Sequence, residues 1–341
     1  MGRSERSADA AVSAPWVIVG QGLAGTCLAW EFWNRSVEFL LLDREHGGSS
    51  RVAAGLINPV TGKNFEPTPG IADFLPEALE FYSRLEVLLN NTLWHPLPIL
   101  RLADSAKEWS KMLAKTARPD VACWLSNNSP APPAEGWIGA LELRGGGRLD
   151  TRAFLDGSRE FFRQRGIYQQ AEIAPEQGEA RHIWCDGAAG LISGRLGAHR
   201  CAKGEILTLR APGWDENHIR IGAGGWLVPV GNGHFKAGST YEWDQLDETP
   251  TEAGREKVMA IATRLGGNAD FELLAHEAGV RPILRRSEPL IGPLENGDWI
   301  FNGLGSKGSI FAPGMARRLA RWVCEGSEPE PETRLHGTRV P

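Results

Sequence analysis

The chain has 341 residues and only five cysteines, Cys27, Cys123, Cys185, Cys201 and Cys324, with no C-x-x-C pair and no histidine at zinc-ligand spacing. That excludes a disulfide-stapled scaffold and a zinc module, and it suits a reducing compartment. No run approaches the ~18 apolar residues of a membrane span, and the leader MGRSERSADAAVSA lacks the apolar centre of a secretory signal. A cytoplasmic protein is therefore expected. An excess of one charge is missing too: 37 Lys and Arg face 42 Asp and Glu, a net charge of -5, so no bulk field gathers phosphate backbones and nucleic acid is disfavoured as a partner. The eight histidines show no metal spacing, and no metal is expected. What the chain does have is 41 glycines, which let backbone approach a ligand, and 13 tryptophans, which build flat apolar walls. Its length suggests two domains.

The segment WVIV from Trp16, the turn GQGLAG, the helical stretch TCLAWEFWNR and the run FLLLD read as strand, turn, helix and strand. Strands apolar throughout imply a parallel sheet covered on both faces. Residues 47 to 67 read as a loop rich in Gly, Ser and Asn. Helical patterns follow in PEALEFYSRLEVLLNNTL, DSAKEWSKMLAKTA and RAFLDGSREFFRQRG, the last capped by Asp150 or Thr151. WIGALELR and RHIWC read as strands. From Lys203 to Trp243 the runs EILTLRAP, HIRIGAGGWLVPV and HFKAGSTYEW make an antiparallel region, the last two joined by Gly231, Asn232 and Gly233. Thr251 is positioned to cap a helix over about 252 to 265, and the end of the chain reads as strand, glycine loop and helix.

Gly20, Gly22 and Gly25 form G-x-G-x-x-G between a strand and a helix, with Leu23 and Ala24 inside the motif and Asp43 closing the next strand. Gly20 permits a tight turn, Gly22 lets backbone reach a pyrophosphate at the positive helix end, and Gly25 lets the helix pack on the strand. Asp43 is placed to accept hydrogen bonds from ribose hydroxyls. A dinucleotide is the ligand this spacing suits. The motif lies near the N-terminus, and a second glycine loop, Gly303, Gly305, Ser306, Lys307, Gly308 and Ser309, opens the last helix. A helix N-terminus stabilises negative charge such as a reduced flavin carries, which favours FAD over NAD.

Four segments then resemble the D-amino acid oxidase and glycine oxidase superfamily of FAD enzymes: VIVGQGLAG with Asp43, SSRVAAGLI, WLVPVGNGHFKAGSTY, and AGVRPILRRSEPLIGP with GLGSKGSIFAP. The GSKG loop also resembles the FAD half of the bifunctional enzyme that finishes a methylaminomethyl group on tRNA wobble uridine. The resemblance implies a Rossmann-like α/β domain (α+β overall) over residues 15–75, 140–200 and 275–325. A second domain of mixed, largely antiparallel sheet and helices takes 76–139 and 201–274, with flexible tails at 1–14 and 326–341.

It implies that Arg44, Ser49, Ser50, Arg51, Gly55 and Gly187 join the glycines and Asp43 around FAD. It also implies that Arg281 grips a substrate carboxylate, unless it pairs with Glu277 or Glu288. Leu56, Trp226 and Tyr241 would shape the cavity, and Lys307 would either support the reduced ring or stand at the surface. Trp226 replaces a tyrosine frequent at that place, and Val52 stands where covalently flavinylated relatives have histidine, so FAD is expected to be bound non-covalently. The stretch from Gln169 to Cys185 is short for a segment that contacts adenine. The role of Asp186, in the turn after its strand, does not follow from the sequence. The implied reaction is oxidation of the C–N bond of a small amine bearing a carboxylate, with oxygen or another electron acceptor and an open oligomeric state. Two alternatives stand beside it: oxidation of a carboxymethylaminomethyl group on tRNA, whose basic rim would draw on Arg285, Arg286, Lys307, Arg317, Arg318 and Arg321, and a non-catalytic flavin-binding module.

Overall fold

The computed structural model describes residues 15–127, 130, 136–171, 181–194, 198–285 and 289–329. Arg286, Glu288 and most of the stretch after Gln169 therefore lie outside the described residues, as do residues 1–14 and 330–341 of the expected tails.

Two sheets organise the chain. The first has six strands in the order Tyr168–Gln170, Phe39–Asp43, Trp16–Val19, Arg181–Trp184, Trp299–Asn302 and Leu290–Pro293. Its first five strands run parallel and the last is antiparallel. The apolar runs have the reason expected of them: Trp16, Val17, Ile18, Ile183, Ile300 and Phe301 are all buried, because helices cover the sheet. The helix Leu23–Asn34 is buried over ten consecutive residues; the last helix, Gly308–Glu325, packs against it and against Ile71–Leu89, and Thr151–Arg163 packs on Leu23–Asn34 from another side. Each large apolar side chain buried in this way contributes about 1.5–3 kcal/mol.

The second sheet has seven strands in the order Glu272–Arg281, Ala202–Arg210, His234–Gly238, Gly225–Gly231, Ile219–Gly222, Ile99–Ala103 and Gly139–Leu143. It is antiparallel except that Ile219–Gly222 runs parallel to Ile99–Ala103, a pairing outside the expected antiparallel region. The helix Glu252–Gly266 packs its Val258, Ile261 and Leu265 on this sheet.

Thr251 caps its helix by accepting the Gly254 N–H at 3.0 Å, and Asp150, rather than Thr151, caps Thr151–Arg163 by accepting the Ala153 N–H at 3.0 Å. Gly231, Asn232 and Gly233 do connect two paired strands. The first expected helix of the middle region starts earlier, at Ile71, and stops at Leu89, where Asn90 turns into the left-handed region with φ 48°. The stretch from 47 to 67 is not all loop: it holds the short helix Ser49–Val52 and the strands Leu56–Ile57, Val60–Thr61 and Glu66–Pro67.

Candidate functional site

The ends of both sheets open on one cleft of about 1410 Å³, larger than the roughly 300–1,000 Å³ of an ordinary small-molecule pocket. Gly20, with φ +99°, begins it: a Cβ there would lie 2.6 Å from the Cys185 carbonyl oxygen, so only glycine fits the turn. Gly22, Leu23 and Ala24 then bring the positive end of Leu23–Asn34 to the cleft. Gly25 lies behind them rather than on the cleft wall, where a Cβ would fall 1.9 Å from the Gly20 carbonyl oxygen.

Asp43 lies at the far end of this turn. Its Oδ1 accepts the Gln21 N–H at 2.9 Å and its Oδ2 accepts the Glu45 N–H at 3.0 Å, which fixes the carboxylate while leaving lone pairs for hydroxyl donors. Arg44 and His46 line the same end, with Arg44 Nε donating to the His46 carbonyl at 3.1 Å. Ser49, Ser50, Arg51 and Gly55 continue the wall. Ser50 Oγ accepts the Leu23 N–H at 3.2 Å and so ties the wall to the first helix, while Arg51 is held by Asp156 at 2.8 Å.

On the opposite wall, Gly305, Ser306, Lys307, Gly308 and Ser309 bring a second helix N-terminus to the cleft. The two helix starts touch: a Cβ on Gly308 would lie 2.9 Å from Leu23 Cδ1. Lys307 is half-buried on the cleft, and burial pulls its ammonium below the ordinary lysine pKa. Gly303 does not line the cleft; its N–H donates to Asn302 Oδ1 at 2.7 Å. Gly187 lines it at the start of the short helix Gly187–Ile192. Asp186 accepts from Asn302 Nδ2 at 3.1 Å, a link that joins two strand ends of the parallel sheet.

Arg281 ends its strand on the cleft. Its guanidinium donates to Ser239 Oγ at 2.7 Å and to the carbonyls of Thr240 at 3.3 Å and Ala202 at 3.5 Å, all neutral oxygens. Its flat side lies on Gly204, where a Cβ would be 2.0 Å from Nη2, and its other neighbour is the Tyr241 ring, 4.2 Å away. Burial pulls its pKa down, yet a guanidinium stays charged. Glu277 is occupied elsewhere, in an ion pair with Arg152, and among the described residues no carboxylate pairs with Arg281.

Leu56 and Trp226 line the cleft as well. Tyr241 lines its mouth, exposed, with its hydroxyl 3.2 Å from Ser306 Oγ. The arrangement thus brings together all the expected residues except Gly25 and Gly303. Sequence reading did not single out Ser239, Thr240, Gly204 or Asn302, which act through contacts set by sheet pairing and not by any local pattern.

The residues fit FAD. A glycine turn with no space for a side chain, two helix N-termini and a fixed carboxylate on one cleft are the donors and acceptors that a pyrophosphate, a ribose and an electron-rich ring require. Among the described residues no group of three His, Cys, Asp or Glu is placed to hold a metal, and no helix is long and apolar enough to cross a membrane.

Comparison with known proteins agrees with this fit. The family described as FAD dependent oxidoreductase matches residues 15–322, and the chain belongs to it. The chain is similar to a glycine oxidase of Pseudomonas aeruginosa, 26% identical over 92% of this chain and 95% of that protein. It is also similar to a tRNA 5-methylaminomethyl-2-thiouridine biosynthesis bifunctional protein of Marinobacter nauticus, 23% identical over 94% of this chain but only 57% of that longer protein. Among solved structures, glycine oxidase from Geobacillus kaustophilus superposes with a TM-score of 0.79 at 17% identity, covering 96% of this chain and 99% of that one. Iminodiacetate oxidase from Chelativorans gives 0.75 at 20% identity, covering 94% and 98%.

Proposed function

We propose that this member of the FAD-dependent oxidoreductase family oxidises the C–N bond of a small amine bearing a carboxylate, of the glycine, sarcosine or D-amino acid type. The observation that carries the reading is Arg281, a partly buried guanidinium on the cleft held only by neutral oxygens among the described residues. A cation so held is a receptor for an anion, and its planar fork suits a carboxylate. The names of the glycine oxidase and iminodiacetate oxidase relatives support the same substrate class.

Bound non-covalently, FAD supplies the two-electron acceptor. Gly20, Gly22, Asp43 and the first helix would hold its ADP part, and the Gly305–Ser309 loop its ring. Arg281 grips the substrate carboxylate and so fixes which C–H bond meets the acceptor. Leu56, Trp226 and the Tyr241 ring crowd the remainder of the substrate and exclude water. The amine enters neutral, so the chain needs no general base, and the product imine hydrolyses on release.

The test is turnover with an electron-accepting dye, which is indifferent to the natural acceptor, across glycine, sarcosine, proline and D-amino acids beside their carboxylate-free counterparts. Turnover confined to the carboxylated amines is expected; equal turnover of methylamine and glycine would refute the assignment of Arg281. A second reading, oxidation of a carboxymethylaminomethyl group on tRNA, draws support from Tyr241 and Trp243. These are exposed side by side with ring centroids 6.0 Å apart, a surface on which a base can stack. Salt-dependent tRNA binding would favour it.

A further inference from the structure

The segment from 242 to 249 leaves the antiparallel sheet and returns a carboxylate to the cofactor cleft. Its base is built rigidly. The backbone of Glu242 exchanges two hydrogen bonds with Lys203, at 2.8 and 3.0 Å, and the Lys203 ammonium, whose side chain is 1% exposed, donates to Asp247 Oδ1 at 2.6 Å. Asp247 also accepts the Thr249 N–H at 2.9 Å and Gln245 Nε2 at 2.7 Å. The next side chain along, Glu248, lines the cleft, and its Oε1 accepts the N–H of Gly48 at 2.7 Å, a contact between positions 200 residues apart. Glu248 also fills the space beside Gly47, where a Cβ would lie 2.1 Å from its carboxylate. Gly47 and Gly48 stand between Arg44 and His46 at the Asp43 end and Ser49 and Ser50 on the wall, all on the cleft.

We propose that Glu248 is the clasp of the cofactor cleft: a carboxylate carried on a segment anchored by a buried lysine, which pins the Gly47–Gly48 loop and slows release of FAD. The inference rests on the FAD reading of the cleft. The anchored segment supplies the fixed side, and the loop it holds turns through two glycines with φ of +69° and +97°, a course that side-chain-bearing residues rarely follow. The contact itself is exposed, so it opens without disturbing either core.

The test is the rate at which FAD leaves the purified holoenzyme on dilution, followed as the rise in free-flavin fluorescence. Glu248→Ala is expected to release FAD about 5-fold faster, the size of an exposed hydrogen bond to an ionised acceptor. Glu248→Gln keeps an oxygen facing the Gly48 N–H and is expected to stay within about 2-fold of wild type, with thermal unfolding of the apoprotein unchanged in both. Release from Glu248→Ala at the wild-type rate would overturn the proposal, as would a slower release. A wild-type protein that holds no FAD would instead overturn the cofactor reading.

Discussion

In the proposed function Arg281 alone grips the substrate, so its substitution is expected to separate binding of substrate from binding of FAD. Arg281→Leu removes the carboxylate fork but none of the glycine turn. The expected outcome is a loss of about 10²-fold or more in kcat/KM for carboxylated amines, the scale of truncating a buried hydrogen-bonded charge pair, with the visible spectrum of bound FAD retained. Arg281→Lys keeps the charge without the planar fork and is expected to recover only part of the loss. Gly20→Ala tests the other end of the cleft. A Cβ at φ +99° meets the Cys185 carbonyl oxygen at 2.6 Å, so a stability loss of about 1–3 kcal/mol and weaker FAD retention are expected from chemical denaturation and flavin titration. The place of both residues on the cleft is legible in the sequence, Gly20 from its motif and Arg281 from a family resemblance. Their surroundings are not. Ser239 and Thr240 reach Arg281 from positions 42 and 41 residues away, and nothing local marks them.

At the scale of elements, the boundaries that follow from capping chemistry are the legible ones. Asp150 and Thr251 each accept an N–H three residues on, and substituting either by Ala is expected to cost about 1 kcal/mol in urea unfolding. The same rule has no purchase on the helix beginning at Ile71, whose N-cap is Gly70 with no side-chain bond, and its start is accordingly misread. Ile99–Ala103 is buried at four of its five positions. Such a strand has no polar alternation to distinguish it from a buried helical turn, and its parallel partner, Ile219–Gly222, is far away in sequence. Parallel pairing of distant strands is decided by the packing of the whole sheet, not by the segment itself.

At the scale of the molecule, a partly buried lysine ties the antiparallel sheet to the cleft. Lys236, on a strand of the antiparallel sheet, donates to the carbonyls of Val52 at 2.8 Å and Ala53 at 3.3 Å, next to the cleft wall. Burial pulls its ammonium from the ordinary 10.5 down to about 8. Between those values the unfolded chain binds the proton that the folded chain has released, so this group makes folding stability rise as the pH goes from about 8 to 10.5. In Lys236→Met that increment is expected to be absent when unfolding is compared across the same pH range. Equal pH slopes in the two proteins would show that the lysine keeps its proton in the fold.

The central claim joins the two ends of the cleft: FAD held by the glycine turn and the helix starts, and a carboxylated amine held by Arg281. The visible spectrum of the purified protein during anaerobic addition of glycine, sarcosine, proline and D-amino acids tests it most directly. A yellow protein bleached by at least one of these amines, and left unbleached by methylamine, is the expected result. A flavin that no carboxylated amine reduces, or a protein that takes up no FAD on reconstitution, would contradict it.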